Sequence, residues 1–252
     1  MKIEYYKTYS RHLDREMEFK VYGAQGKPML VFPCQNGRFF DYEDQKMIET
    51  IAPFIDSGRL QVFCVDSIDI ESWSSETIAN RQRLENHERY YHYITEELVP
   101  YIFHINQQAN NGQLADGIIT NGCSMGASHA LNFFLRRPDI FSGTLALSGC
   151  YDMRYFFKDG YMDDLLYNNN PVSYIEGMSY DHPYVNLYRQ RKIIICVGQG
   201  AWEHPMIEDT QRIKELFGYK DIHAWIDFWG HDVAHDWPWW KKQMVYYLEY
   251  MC

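Results

Sequence analysis

The 252-residue sequence predicts a single α/β domain, residues 1–252, with a mostly parallel, doubly wound sheet and an antiparallel edge at its N-terminal side. Three observations predict this fold class. Short, continuously apolar runs alternate along the chain with segments of helical periodicity. Two segments of alternating polar and apolar residues precede the first helix, as half-buried antiparallel strands do. The chain length also suits one domain of this class.

The individual elements follow from the same patterns. The alternating segments are residues 2–10 and 15–22, followed by a turn at Gly23, Gly26 and Pro28. Strands are predicted over 29–32, 61–65, 117–121, 141–147, 192–197 and 222–228, and the first two have the continuous apolar character of strands covered on both faces. Helices are predicted over 76–106 with a bend at Pro100, 127–135, 208–217 with Gly218 at its end, and 239–251. Residues 150–190 show little periodicity, and we expect an irregular cap or substrate loop there.

The strongest functional signal is the pentapeptide Gly122-Cys123-Ser124-Met125-Gly126, which lies between a predicted strand and a predicted helix. Gly-x-Ser-x-Gly in this context is typical of the nucleophile elbow of the α/β-hydrolase fold. A sharp turn strains the serine backbone and requires tiny neighbours two positions away. We therefore predict that Ser124 is a nucleophile whose hydroxyl lies above the carboxyl end of the sheet.

A serine nucleophile needs a histidine base, which in this fold follows the last strand. His231 and His235 both lie in that region, and we favour His235 because it comes just before the closing helix. His231 is the alternative base, and otherwise we expect it to be a hydrogen-bonded structural histidine. The two are also four residues apart, as metal ligands on a helix can be. Gly230 and Pro238 bracket the segment and argue against a helix, so no metal is predicted.

The carboxylate that orients the base should follow an earlier strand. Glu203 comes a few residues after the strand 192–197 and is the favoured acid, with Asp152 as the alternative. Asp209 and Asp227 are weaker candidates, which we expect to serve a helix start and a strand face. The pair Gly198 and Gly200 lacks the third glycine of a dinucleotide-binding loop, and no cofactor is predicted.

Two backbone N–H groups should stabilise the oxyanion: that of Met125, after the nucleophile, and that of Gln35, in the loop after the strand 29–32. Aromatic residues cluster near the predicted base and acid and would suit aryl or sugar-linked esters. Core packing is an equal expectation for those on the last helix. The cluster consists of Trp202, Trp229, Trp237, Trp239 and Trp240.

Composition narrows the range of partners. A formal net charge of −10 argues against a nucleic-acid ligand, which requires a basic face. No apolar run approaches the length of a membrane span, and the first residues lack the apolar core of a secretory signal. Six widely separated cysteines favour a reducing cytoplasm. We expect a small-molecule ester as the ligand, and the sequence leaves open whether the chain forms a homo-oligomer.

These residues resemble the esterase family of α/β-hydrolases, in the branch of esterase D (S-formylglutathione hydrolase), feruloyl esterase modules and mycobacterial mycolyltransferases. The matching features are Gly-Cys-Ser-Met-Gly-Ala-Ser-His-Ala-Leu at 122–131, the stretch 96–102 and His-Asp-Trp-Pro-Trp-Trp at 235–240. The His-x-Trp pattern of the family falls on His235, which supports that residue as the base. Two features depart from the family pattern: Ala127 replaces a glycine, and the loop after the strand 29–32 lacks a His-Gly pair.

The sequence thus predicts a serine carboxylesterase that hydrolyses a small acyl or aryl ester through an acyl-enzyme on Ser124. Two alternatives remain at this point. An acyltransferase would form the same acyl-enzyme and resolve it with an acceptor other than water. A non-catalytic binding protein would keep the fold without forming an acyl-enzyme.

Overall fold

The computed structural model describes residues 1–158 and 160–252. One eight-stranded sheet organises them, in the strand order β1-β2-β4-β3-β5-β6-β7-β8. Strand β2 is antiparallel to both β1 and β4, and every later pairing is parallel. The strands are β1 Ile3–Ser10, β2 Arg15–Tyr22, β3 Lys27–Phe32, β4 Leu60–Val65, β5 Ile118–Cys123, β6 Phe141–Leu147, β7 Lys192–Val197 and β8 Trp225–Phe228.

Helices cover both faces of this sheet. The α-helices are α1 Asp41–Asp44, α2 Met47–Thr50, α3 Ala52–Asp56, α4 Asn80–His92, α5 Val99–Ala109, α6 Met125–Arg136, α7 Asp164–Asn168, α8 Pro171–Gly177, α9 Pro183–Tyr188, α10 His204–Tyr219 and α11 Trp237–Met251. A π-helical turn, Tyr93–Leu98, joins α4 to α5, and short 3₁₀ helices span Asp69–Glu71 and Met153–Phe156.

Strand β3 shows how the sequence produces two cores. Its side chains alternate across the sheet, because successive residues of a strand point to opposite faces. Leu30 and Phe32 pack with α4, α5 and α6 on one face. Met29 and Val31 pack with α2, α3 and α11 on the other. Both faces are thus covered, which explains why the inner strands are apolar without interruption.

The predicted fold class is confirmed: the sheet is mostly parallel, and its antiparallel strand lies near the N-terminal edge. Several element boundaries were wrong. The predicted helix 76–106 is α4, the π-helical turn and α5, with Pro100 at the start of α5. Helix α10 begins earlier than predicted and continues through Gly218, whereas β8 is shorter than predicted and α11 starts before Pro238.

The segment 150–190 is more regular than expected. It contains one 3₁₀ helix and α7, α8 and α9, so it is more helical than predicted, and its role as a cap or substrate loop stays a prediction. Residue 159 lies outside the described part. Each of these helices is at most seven residues long. Helical periodicity cannot be recognised over so few residues, which is why the sequence pattern missed them.

Candidate active site

The turn between β5 and α6 holds Ser124 in a strained conformation. Its backbone angles are φ 56° and ψ −125°, a region that costs a residue other than glycine about 1–3 kcal/mol. The Ser124 N–H donates to the Leu147 carbonyl at 2.9 Å, which fixes the turn to the neighbouring strand. A Cβ on Gly122 would overlap the Gly126 backbone, and a Cβ on Gly126 would overlap the Phe32 carbonyl. The predicted need for tiny neighbours thus has a steric basis.

His235 lies beside this serine. Its Nε2 is 2.8 Å from Ser124 Oγ, although the two residues are 111 positions apart in the chain. The loop after β8 brings it there, and the His235 N–H donates to the Ala201 carbonyl at 2.9 Å. The edge of the imidazole also packs against Trp240, with 4.8 Å between ring centres. These contacts hold the ring in a position to accept the hydroxyl proton.

Glu203 completes the chain of hydrogen bonds from the other side of the imidazole. Its Oε2 is 3.0 Å from His235 Nδ1, and the side chain is fully buried. Its Oε1 accepts from the Ser148 hydroxyl at 2.6 Å and from the Gly198 N–H at 3.2 Å. A buried carboxylate is expensive unless it is paired and hydrogen-bonded, and here both oxygens have partners.

Ser148 is a site residue that the sequence reasoning missed. Besides donating to Glu203, its hydroxyl accepts from Trp240 Nε1 at 3.1 Å, and its backbone has φ 58°. Trp240 therefore contacts the imidazole directly and the carboxylate through Ser148. The available signal was positional, because Ser148 follows the carboxyl end of β6, where ligand sites of parallel sheets lie.

The alternative acid, Asp152, and the alternative base, His231, do not take part in these hydrogen bonds. Asp152 accepts from Arg154 and from Asn170, and these donors outweigh its burial and lower the pKa of its carboxyl. His231 is exposed and makes no side-chain hydrogen bond within the described residues, so the expected structural role was wrong. The structure thus brings Glu203 and His235, rather than these two, to Ser124.

The weaker acid candidates have structural partners. Asp209 lies inside α10 rather than at its start, and its carboxylate accepts the backbone N–H groups of Tyr151 and Asp152 at 2.7 and 2.9 Å. Burial raises the pKa of Asp209, and those donors oppose the rise. Asp227 on β8 accepts from the Tyr247 hydroxyl at 2.7 Å. Each side chain thus joins two elements of the fold.

The predicted oxyanion donors belong to the start of α6 and to the loop after β3. Met125 is the first residue of α6, where a backbone N–H has no partner within the helix. Gln35 is exposed on a turn closed by the Gly37 N–H and the Cys34 carbonyl at 2.8 Å. The Asp41 carboxylate accepts the Cys34 N–H at 3.0 Å and anchors that turn. Both predicted donors line the cleft above Ser124, and their role stays a prediction.

A cleft of about 400 Å³ opens above the serine. The segment 150–190 contributes Tyr155 and Phe156, and the N-terminal part of α10 contributes Met206. Trp202 also lines the cleft; it is 84% exposed and has φ 68°. A large, exposed aromatic side chain on a strained backbone, one residue before the predicted acid, is well placed to contact a substrate.

The other tryptophans of the predicted aromatic cluster pack within the fold. Trp240 is buried, Trp237 packs edge-on against Tyr42, and Trp229 Nε1 donates to the Tyr247 hydroxyl at 2.8 Å. The ring of Trp239 lies under the ammonium group of Lys242. Of the five predicted residues, only Trp202 lines the cleft in the described part of the chain. The alternative expectation of core packing on the last helix therefore holds for Trp240, whereas Trp239 is only half-buried.

Comparison with solved structures identifies the same architecture in known hydrolases. A ferulic acid esterase superposes with a TM-score of 0.75 at 14% identity, covering 99% of this chain and 97% of that one. FphF of Staphylococcus aureus, a fluorophosphonate-binding serine hydrolase, gives 0.72 at 15% identity, covering 99% and 98%. An S-formylglutathione hydrolase of Agrobacterium tumefaciens gives 0.71 at 15% identity, covering 99% and 94%.

The sequence comparisons identify a family but no individual curated relative. No curated protein matches the chain. The family model described as "Putative esterase" matches residues 10–251, which is nearly the whole chain. The predicted resemblance to this family is confirmed. Separately, no helix in the described residues is long and apolar enough to cross a membrane. The chain therefore belongs to this esterase family of α/β-hydrolases and is a carboxylic ester hydrolase.

Proposed function

We propose that the protein is a serine carboxylesterase that works through an acyl-enzyme on Ser124. The observation that supports this most directly is the unbroken set of hydrogen bonds from the Ser124 hydroxyl to His235 and from His235 to the buried carboxylate of Glu203. Nucleophile, base and orienting acid are all within hydrogen-bonding distance, as acyl transfer requires.

In the first half of the reaction, Ser124 Oγ attacks the ester carbonyl carbon and His235 Nε2 takes the hydroxyl proton. The carbonyl π pair moves onto oxygen, which gives a tetrahedral oxyanion. Glu203 keeps the proton of His235 on Nδ1 and stabilises the imidazolium that forms. Collapse of the intermediate breaks the bond to the alcohol oxygen, which leaves with the proton from Nε2.

The oxyanion is stabilised by the backbone N–H groups of Met125 and Gln35 in this proposal. Both residues line the cleft beside Ser124, and the Met125 N–H belongs to the first turn of α6. Donors fixed in this way contribute about 3–4 kcal/mol each to barrier lowering in serine hydrolases. Because they are already in place, little reorganisation accompanies the charge that develops.

In the second half, water replaces the alcohol. His235 removes a proton from the water as it attacks the acyl carbon, and then returns the proton to Ser124 Oγ as the acid leaves. The carboxylic acid product and the free serine are regenerated without any other reactant. The same three side chains therefore serve both halves of the cycle.

The cleft favours an uncharged substrate with an aromatic or small apolar part. Its described lining includes Trp202, Tyr155, Phe156 and Met206, and it contains no aspartate, glutamate, lysine or arginine. Aromatic walls stack against planar groups and contribute about 0.5–1.5 kcal/mol per pair beyond burial of area. We therefore propose small acyl or aryl esters as the substrate class.

The six cysteines are unpaired in the structure, which supports a reducing cytoplasm as the compartment.

Replacing Ser124 tests this function. Hydrolysis of p-nitrophenyl acetate by Ser124→Ala should fall by at least about 1000-fold in kcat, because the covalent route is removed. The matched control is Ser57→Ala, since Ser57 is exposed at the opposite end of the sheet. Circular dichroism of both variants checks the fold. Turnover by Ser124→Ala at the wild-type rate would defeat the proposal.

A further inference from the structure

A second cavity lies at the opposite end of the sheet from Ser124. It has a volume of about 410 Å³, and residues at the N-terminal ends of the parallel strands form part of its wall. Lys27 is the first residue of β3, Arg59 precedes β4, and Arg191 and Lys192 lie at the start of β7. The end of α11 closes the remaining side. Four positively charged side chains from three separate parts of the chain therefore border one cavity.

This concentration of positive charge is unexpected in a chain with a formal net charge of −10. Two carboxylates form ion pairs with these cations. Asp116, itself on the wall of the cavity, pairs with Lys27, and its side chain is 79% exposed. Glu249 pairs with Arg59 at 3.2 Å, and its side chain is 59% exposed. The Arg59 guanidinium also donates to the Cys252 main-chain oxygen on the cavity wall at 3.0 Å. Both pairs are open to water, which weakens them.

The other two cations have only carbonyl partners in the described residues. Arg191 donates to the Pro138 carbonyl at 3.0 Å, and Lys192 Nζ donates to the Tyr250 carbonyl at 3.0 Å. A carbonyl satisfies one hydrogen bond but does not neutralise a charge. The cavity wall therefore carries positive charge that its own side chains do not balance.

Two further residues line the same cavity. Ser142 lines the cavity, and its hydroxyl oxygen is shielded from solvent without a hydrogen-bond partner among the described residues. Burial raises the pKa of the Cys252 thiol to about 11; Arg59, Lys192 and Lys27 oppose this rise, and Glu249 adds to it. Three of the four cations are thus close enough to influence one thiol on the cavity wall.

We propose that this cavity, formed by Lys27, Arg59, Ser142, Arg191 and Lys192, binds a small anion of the phosphate class. Arginine and lysine are the side chains that recognise phosphate oxygens, the former through its planar fork and the latter as a point charge. The volume suits a small molecule rather than a nucleic acid. The site is separate from the esterase cleft and does not depend on it.

The test measures binding of inorganic phosphate, pyrophosphate and glycerol 3-phosphate to the full chain by calorimetry, at an ionic strength held constant with sodium chloride. We expect saturable binding of at least one anion and a rise in Tm with its concentration, because a ligand that binds only the native state stabilises it. Preference for glycerol 3-phosphate over inorganic phosphate would identify a phosphate monoester as the ligand type, and the reverse would identify the free ion.

Variants of the cavity sharpen the test. Lys192→Gln should weaken binding roughly tenfold or more, since a charge-assisted hydrogen bond is lost. Lys192→Arg should retain binding. Asp116→Asn should strengthen binding, because it removes a competing negative charge from the wall. The control is Lys214→Gln, whose ammonium group lies near Phe228 at the catalytic end of the sheet.

Esterase activity of each variant shows that the fold is intact, and the binding measurement does not use it, so the two proposals fail independently. Equal stabilisation by chloride at the same ionic strength would overturn the anion site. If both single variants, Lys192→Gln and Asp116→Asn, bound the anion with the wild-type affinity, the anion site would be overturned as well.

Discussion

At the scale of single residues, the site depends on how a buried negative charge is kept in place. Glu203 is fully buried, yet three donors reach its carboxylate: His235, Ser148 and the Gly198 N–H. Such a group is strongly oriented, because moving it would leave donors and acceptors without partners. The imidazole is therefore held with its Nδ1 toward the carboxylate and its Nε2 toward the serine.

Exchange of one atom in this carboxylate tests its role. In Glu203→Gln the side-chain amide can present an N–H to His235 and favour the wrong tautomer, so kcat should fall by about 10⁴ with little change in KM. Asp152→Asn is the control, because it alters the alternative acid, which pairs with Arg154 and Asn170 instead. Steady-state kinetics on p-nitrophenyl acetate measure both. A larger loss in Asp152→Asn than in Glu203→Gln would reverse the assignment.

Some of these site residues could be predicted from the sequence, and others could not. Ser124 is recognisable from the pentapeptide, and His235 and Glu203 from their positions after predicted strands. Ser148 is not recognisable, because a serine after a strand has no distinctive neighbours, and its role depends on residues 55 and 92 positions away. Contacts over such distances in the chain are fixed by the packing of whole elements.

At the scale of elements, the turn between β5 and α6 is the most constrained segment. Ser124 has a strained backbone, and the glycines at 122 and 126 lie against neighbouring backbone that no Cβ could share. Backbone atoms cannot move aside as the end of a flexible side chain can. The close approach of α6 to β3 at Gly126 is thus a requirement of the site and not only of packing.

A single methyl group tests this requirement. Gly126→Ala would place a Cβ against the Phe32 carbonyl, so the free energy of unfolding should fall by about 1–3 kcal/mol and esterase activity should be lost. Gly218→Ala in α10 is the control, because its Cβ would meet nothing within 4 Å. Alanine there should raise stability by about 0.5–1 kcal/mol. Urea unfolding of both variants measures the difference, and a neutral Gly126→Ala would refute the steric account.

Elements with strong periodicity or with continuous apolar character could be predicted from the sequence, including all eight strands. Their ends could not always be. Helix α10 continues through Gly218, which is absent from the residues with positive φ; the left-handed residue after the helix is Asp221, with φ 53°. The short helices α1, α2 and α3 carry too few residues for a periodic signal.

At the scale of the whole molecule, a buried histidine connects stability to pH. His87 is 1% exposed, and its Nδ1 accepts from Trp73 Nε1 at 3.0 Å. The imidazole of His129 stacks on it, with 5.6 Å between ring centres. Burial lowers the pKa of His87 well below its usual value, and His129 and Arg136 add to the effect. The imidazole is therefore neutral in the folded protein.

This lowered pKa predicts how stability changes in acid. Between the folded pKa and the unfolded value of about 6.5, the unfolded chain binds more protons, so stability falls as the pH falls below about 6.5. The loss attributable to His87 is at most about 1.4 kcal/mol per pH unit. His87→Gln keeps an acceptor for Trp73 and should lose less stability between pH 7 and pH 5.5 than the wild type. Urea unfolding at both values measures this, and identical losses would contradict it.

The cation cluster at the other end of the sheet shows what the sequence could not reveal. Lys27, Arg59 and Lys192 are far apart in the chain and lie in ordinary surroundings, so no motif links them. They come together because parallel strands start at the same edge of the sheet. The same topology places Ser124 and Glu203 at the opposite edge, where the site was predictable because ligand sites lie beyond the carboxyl ends of parallel strands.

The central claim is that Ser124 is the nucleophile, and labelling with a fluorophosphonate probe tests it most directly. The probe should inactivate the enzyme with a stoichiometry of one, and peptide mapping by mass spectrometry should find the adduct on Ser124. Ser128 and Cys150 line the same cleft and serve as internal comparisons. Full activity after saturating treatment, or an adduct on either of those residues in place of Ser124, would contradict the account.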